Sequence, residues 1–224
     1  MIHAYSRYTP ADPETRRRNS LAERSWRNQL WLELPIADDD CPQLWVEDDR
    51  RFPFVKGFFD KACFGLADDE IVVYTNSDII CRSDCSSMLA AFMQDTHACY
   101  CFRRDFHSRV DRLPTDDEFQ RAVPYAGSDL YAFRVAWWNA VRHDFPELIF
   151  GFEAWDTCLR HLIRLTNPGR IEVKDLICHE RHASRWEQPA NRRTLPGQVH
   201  CLRESFKWLV AHGINPSQHG IVMP

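Results

Sequence analysis

Apolar and polar positions along the chain fall into alternating short apolar runs and longer stretches with helical spacing. Ile71–Tyr74 is the clearest apolar run: short, rich in β-branched residues and free of polar positions, as a strand buried on both faces is. Ile2–Ser6 reads as the first strand, followed by a polar, proline-bearing loop over Thr9–Arg18. Asn19–Trp31 is predicted to be an amphipathic helix, with Leu21, Trp26, Leu30 and Trp31 on or near one face. Asp38-Asp39-Asp40 and Pro42 break the chain before a second short strand at Gln43–Val46. Phe54–Phe64 has helical spacing, and Ser83 or Asp84 caps a helix running to about Met93. Ala98–Phe102 and Leu130–Phe133 are strand-like, and Asp105–Arg121 between them reads as a charged surface excursion. Short helices are expected at Val135–Arg142 and Glu153–Leu165, a strand at Arg170–Ile177 and a terminal helix at Val199–Ala211.

Strand and helix alternate through the first half. That order predicts an α/β fold, Rossmann-like, with a mostly parallel central sheet flanked by helices. With 224 residues and 44% hydrophobic content, one domain accommodates the chain. It divides into a first half over 1–102, a second half over 103–186 and a C-terminal loop and helix over 187–224.

Charge narrows the function. A net charge of −4 argues against nucleic acid as a partner, although Arg181–Arg193 is locally basic. The only lysines are Lys56, Lys61, Lys174 and Lys207, and the arginines that dominate the cations suit phosphate recognition. Nine cysteines follow no disulfide framework, so they read as small core residues of a reduced, cytoplasmic protein. A first strand at Ile2 leaves no room for a signal peptide, and no apolar run reaches the ~20 residues of a membrane span. Cys81, Cys85 and His97 match no common zinc spacing.

Four segments carry candidate chemistry. Asn76-Ser77-Asp78 follows the apolar run directly, so an amide and a carboxylate stand at the carboxyl end of a central strand, where open α/β sheets bind ligands. Asp78 there suits a divalent cation, and Asn76 offers a carbonyl oxygen; both are also ordinary turn residues. Gly127-Ser128-Asp129 brings a carboxylate into an apolar strand. Glu153 and Asp156 share a face at a helix start, where either can accept a proton from an attacking hydroxyl or simply favour the helix dipole. Phe150, Phe152 and Trp155 beside them form an apolar floor or part of the core. His179 and His182 follow a strand and can complete the coordination of a metal held by Asp78, while Arg181 and Arg185 can bind a diphosphate. Asp48, after the second strand, can reach a nucleoside; Asp38-Asp39-Asp40 is discounted because it precedes a strand.

Taken in order, these segments resemble the GT-A glycosyltransferases, the nucleotide-diphospho-sugar transferase superfamily. Thr75-Asn76-Ser77-Asp78 is similar to the family's D-x-D motif, with Asn at its first acidic position. Gly127-Ser128-Asp129 resembles the acceptor-side segment, Gly151 to Asp156 the acidic helix start that supplies the base in inverting members, and His179 a late histidine metal ligand. The resemblance runs from Ile2 to Trp186 and implies a nucleotide-binding half over 1–102 and an acceptor-side half over 103–186. It implies a divalent metal, Mn2+ or Mg2+, a nucleotide-diphosphate sugar as donor, and a glycan or small-molecule acceptor. Asp156 is then the first candidate base, Glu153 the second and Asp129 the third. Two other readings remain open: a degenerate relative that binds without turnover, and a different Rossmann-like enzyme. No G-x-G-x-x-G follows the first strand, which counts against a dinucleotide fold.

Overall fold

The computed structural model describes residues 1–7, 10–47, 50–182 and 195–222. The first unit is β1 (Ile2–Arg7), α1 (Pro13–Trp26) and β2 (Leu32–Ala37), in which β1 and β2 pair in parallel across the helical crossover. A small antiparallel hairpin, β3 (Leu44–Glu47) and β4 (Arg50–Pro53), stands outside the main sheet and leads into α2 (Val55–Cys63). Next come β5 (Ile71–Thr75), β6 (Ile80–Cys81), α3 (Cys85–Phe92) and β7 (Ala98–Phe106). The second half is α4 (Asp116–Arg121), β8 (Val123–Arg134), α5 (Val135–Val141), α6 (Trp155–Thr166), β9 (Glu172–Val173), β10 (Ile177–Glu180) and α7 (Pro196–Ala211).

The main sheet runs β2-β1-β5-β8-β7-β10-β6, with β9 added to β7. The α/β, Rossmann-like expectation holds, and the sheet is mixed. β8 runs antiparallel to both β5 and β7, and β6 to β10, whereas the other four pairings are parallel. Alternate residues of the central strands feed two cores. Val72, Tyr74, Tyr100, Tyr131 and Phe133 face the layer of α2, α5, α6 and α7. Val73, Cys99, Cys101, Leu130 and Ala132 face the layer of α1 and α3. This two-sided burial is why Ile71–Tyr74 reads as continuously apolar. Phe58 and Phe59 of α2 are fully buried, each contributing about 1.5–3 kcal/mol by the area it removes from water. All nine cysteines are buried thiols, as a core role requires. No helix among the described residues is long and apolar enough to cross a membrane.

Several expected boundaries move, each for a local reason. α1 starts at Pro13, inside the expected loop, because Asp12 caps it: the Thr15 backbone N–H donates to its carboxylate at 2.7 Å. The helix ends at Trp26, and Leu32–Ala37, unassigned from the sequence, is a strand. Pro35 is tolerated there because β2 lies at the sheet edge. The strand read at Gln43–Val46 belongs to the separate hairpin. Asp105–Arg121 contains the end of β7 and all of α4, whose Thr115 and Glu118 form a capping box. Arg170–Ile177 is not one strand, because Asp175, in the left-handed region at φ 61°, separates β9 from β10.

Candidate active site

β5 ends at Thr75, and the segment that follows it meets side chains from β8 and from the end of β10. The Tyr74 hydroxyl donates to Asn76 Oδ1 at 2.9 Å, and Asn76 Nδ2 donates to Asp129 Oδ1 from β8. Two residues on, Asp78 meets the end of β10. Its Oδ2 lies 2.9 Å from His182 Nε2 and 3.3 Å from His179 Nε2. Asp78, His179 and His182 are the one group of three or more acidic, histidine or cysteine side chains, among the described residues, arranged to hold a metal ion. Cys81, Cys85 and His97 form no such group.

Each histidine nitrogen stands near 3 Å from the Asp78 oxygen, the separation of neighbours around one ion with bonds of about 2.0–2.2 Å, and all three atoms lie within 4.8 Å of one another, so the triad could hold a single cation. The electrostatics agree. Burial works to raise the Asp78 carboxyl, but the two histidines outweigh it and hold it below the usual carboxylate range. Burial disfavours protonated His179, yet Asp105 and Asp78 raise it to about 9, so an incoming cation displaces a proton.

Two cavities flank this centre. One, of about 400 Å³, opens toward the ends of β1 and β2 and is lined by Ser6, Asp38, Arg50, Ser77 and Asp78. Ser6 Oγ donates to Asp38 Oδ1 at 3.0 Å. Desolvation raises the Asp38 carboxyl, against the Ser6 hydrogen bond and the Arg50 charge. The discounted Asp38 thus follows β2 directly and stands at a strand's carboxyl end. Pro35 hides β2 in the sequence, and with it this strand-end position.

The other cavity, about 410 Å³, lies over β8 and the start of α6. Asp129, Glu153, Asp156, Arg181 and His182 line it, with Trp155 and Tyr125 as apolar walls. Phe150, Phe152 and Trp155 belong to the core cluster; Phe152 and Trp155 also face this cavity. Asn76 and Trp155 border both cavities. The three acids differ sharply. Asp129 is held by Asn76 at one oxygen and by Arg103 Nη1 at the other, 2.7 Å away. Glu153 Oε2 accepts from Gln198 Nε2 at 2.7 Å, while the Glu153 N–H donates to Gln198 Oε1 at 3.0 Å. Desolvation pushes the Asp156 carboxyl above its ordinary range; Arg160 opposes this and Asp129 adds to it. α6 begins at Trp155 after its N-cap Ala154, whose φ of 81° is unusual for a residue with a side chain, so Glu153 precedes the helix expected to start with it and only Asp156 stands in the first turn.

Asp48 and Arg185 lie outside the described residues. Arg103, Asp105, Tyr125, Gln198 and His219 line or brace the site and were not singled out from the sequence. For Arg103 and Asp105 a signal existed: residues two apart on a strand share a face, had β7 been carried beyond Phe102.

No family model matches the sequence, and no curated protein does. Over 96% of this chain the fold is similar to 74% of Staphylococcus aureus TarS 1–349 in complex with UDP-GlcNAc, with a TM-score of 0.53 and 12% sequence identity. A second structure of TarS 1–349 matches 96% of this chain and 72% of that one, at a TM-score of 0.47 and 13% identity. At such identity the first likeness establishes a common fold.

Proposed function

We propose that the chain is a metal-dependent glycosyltransferase of GT-A type, moving a sugar from a nucleotide-diphosphate sugar to an acceptor hydroxyl. The observation that carries this reading is the Asp78–His179–His182 triad standing beside two cavities that meet at Asn76. The cavity at the ends of β1 and β2 suits the nucleotide, with Asp38 as a hydrogen-bonding group for the nucleoside. The larger cavity suits the acceptor, with Trp155 and Tyr125 as faces for a sugar or other ring. A divalent cation on the triad would neutralise charge developing on the departing diphosphate. Arg181 stands beside it to assist. Asp156 would accept the proton of the attacking hydroxyl, its raised pKa matching that role. Asn76, whose amide is already engaged by Tyr74 and Asp129, would join donor and acceptor sites. Two imidazoles in the triad favour Mn2+ over Mg2+, which prefers oxygen ligands.

Thermal unfolding with UDP, GDP, CDP, dTDP and UDP-GlcNAc, each with and without Mn2+, tests the reading. A ligand at a hundredfold excess over its Kd adds about 2.7 kcal/mol of stability. The expected result is a manganese-dependent shift for one nucleotide that vanishes in Asp78→Ala. Shifts with none of them would count against the donor site. A shift with no transfer to any acceptor of a sugar panel would instead support binding without turnover, the reading that Asn76 at the first D-x-D-like position favours.

A further inference from the structure

The metal triad does not stand alone. Its histidine His179 is the register partner of Asp105 where β10 pairs in parallel with β7, so both side chains project from adjacent strands on one face. Asp105 Oδ1 lies 3.5 Å from His179 Nδ1, near enough for charge attraction but without hydrogen-bond geometry. That nitrogen is buried with no hydrogen-bond partner, although its carboxylate neighbour is almost completely enclosed. Asp105 is held in turn: Arg103 Nε donates to the same oxygen at 2.8 Å. Arg103 Nη1 donates to Asp129 Oδ2 at 2.7 Å, and the guanidinium lies over the Tyr125 ring at 4.3 Å. The register shift of β7 against β8 at Phe102 precedes this pair, and such irregularities re-aim the side chains that follow.

We propose that Asp105 and Arg103 are positioning residues for the metal centre: Asp105 fixes the His179 ring with its proton on Nδ1 and its Nε2 lone pair toward the cation. Arg103 locks Asp105 while gripping the acceptor-side Asp129, so metal site and acceptor cavity share one rigid chain of contacts. This inference rests on the metal-centre reading above. A histidine ligand whose second nitrogen is oriented by a carboxylate binds metal more tightly, and loss of such a partner typically weakens affinity 10–100-fold. Arg103 adds what the pair alone lacks. Without it, two buried carboxylates would face each other across the space its guanidinium fills.

Metal titration of the purified chain, with no donor or acceptor present, tests this without relying on activity. Mn2+ binding followed by the loss of the free-ion EPR signal is expected to weaken by about 10–100-fold in Asp105→Asn and in Arg103→Met. Asp78→Ala should remove binding altogether. Because Asp105 is buried and its variant can fail to fold, the wild type supplies a second reading: 15N spectra of histidine side chains with diamagnetic Zn2+ bound. The expected signature is His179 protonated on Nδ1 and metal-bound through Nε2. Wild-type affinity in folded Asp105→Asn, or coordination through Nδ1, overturns the positioning role while leaving the triad intact. A wild type that binds neither metal overturns the inference and the metal centre together.

Discussion

Asp129, Glu153 and Asp156, the three candidate bases, all line the cavity over β8 and the start of α6, and their hydrogen bonds and burial separate them. A general base needs a lone pair free to receive a proton and a pKa near the working pH. Asp129 spends both oxygens on Asn76 and Arg103, which suits it to orienting rather than accepting. Gln198 holds Glu153 from two directions. Asp156 has the raised pKa. In Asp156→Asn, kcat should fall by about 10²–10⁴ with a much smaller change in KM, and Glu153→Gln should fall less. Steady-state transfer assays check this. The pH profile adds a sign. A base works deprotonated, so activity is lost as pH falls through its pKa, and this acid limb should sit above the ordinary aspartate value of about 3.9. Undiminished kcat in Asp156→Asn would point to transfer with retention, in which no such base is required.

At the scale of elements, glycines decide how closely the pieces approach. Gly197 opens α7 just after Pro196, and a Cβ there would lie 2.6 Å from the Phe152 ring and 2.9 Å from Glu47 Oε2. Its own N–H donates to that same Glu47 oxygen at 2.7 Å. Alanine is the better helix former, yet Gly197→Ala should destabilise by about 1–3 kcal/mol, because the clash involves a buried ring behind the acceptor cavity. Urea denaturation reads this directly; a gain in stability would mean that α7 moves away at little cost. Gly127 differs. A Cβ would meet the Tyr125 ring at 2.6 Å, and that ring is half exposed and able to turn. Gly127→Ala should therefore leave the midpoint nearly unchanged while raising KM for the acceptor, since Tyr125 leaves its place over Arg103. A large stability loss with unchanged KM would show the opposite division of roles.

Across the whole molecule, acid stability hangs on a buried group outside the Asp78–His179–His182 triad. His3 on β1 is fully buried between Trp26, Trp31 and Tyr5, with Nε2 2.8 Å from Thr75 Oγ1. Burial lowers its pKa from 6.5 to about 3. The unfolded chain takes up a proton that the folded chain refuses, so stability is intact above pH 6.5 and falls as pH drops toward about 3. The loss is on the order of a few kcal/mol. Urea midpoints at pH 7, 5 and 4 should fall steeply for the wild type and less steeply for His3→Gln. Equal slopes would mean that the acid loss originates elsewhere. The pair also ties β1 to β5, and the residues that end or follow both strands line the cavity of Ser6, Asp38 and Asp78.

What the chain shows without its fold is whatever is written locally. Apolar runs mark the central strands, Asp78 follows one of them, two histidines bracket the end of another, and Asp156 sits in the first turn of a helix, although Glu153, expected to open that helix, precedes it. Periodicity and punctuation involve neighbours in sequence, so they are legible there. Weak local signals hid the rest: Pro35 disguised an edge strand, and with it the strand-end position of Asp38, while the charged start of α1 looked like a loop. Tertiary structure alone decided who meets whom. His182 reaches Asp78 across 104 positions, Asn76 reaches Asp129 across 53, and Asp105 faces His179 only because β7 and β10 pair in that register. Register is set by how all strands bury their alternate faces together, a property of the assembled sheet that no segment of the sequence carries alone.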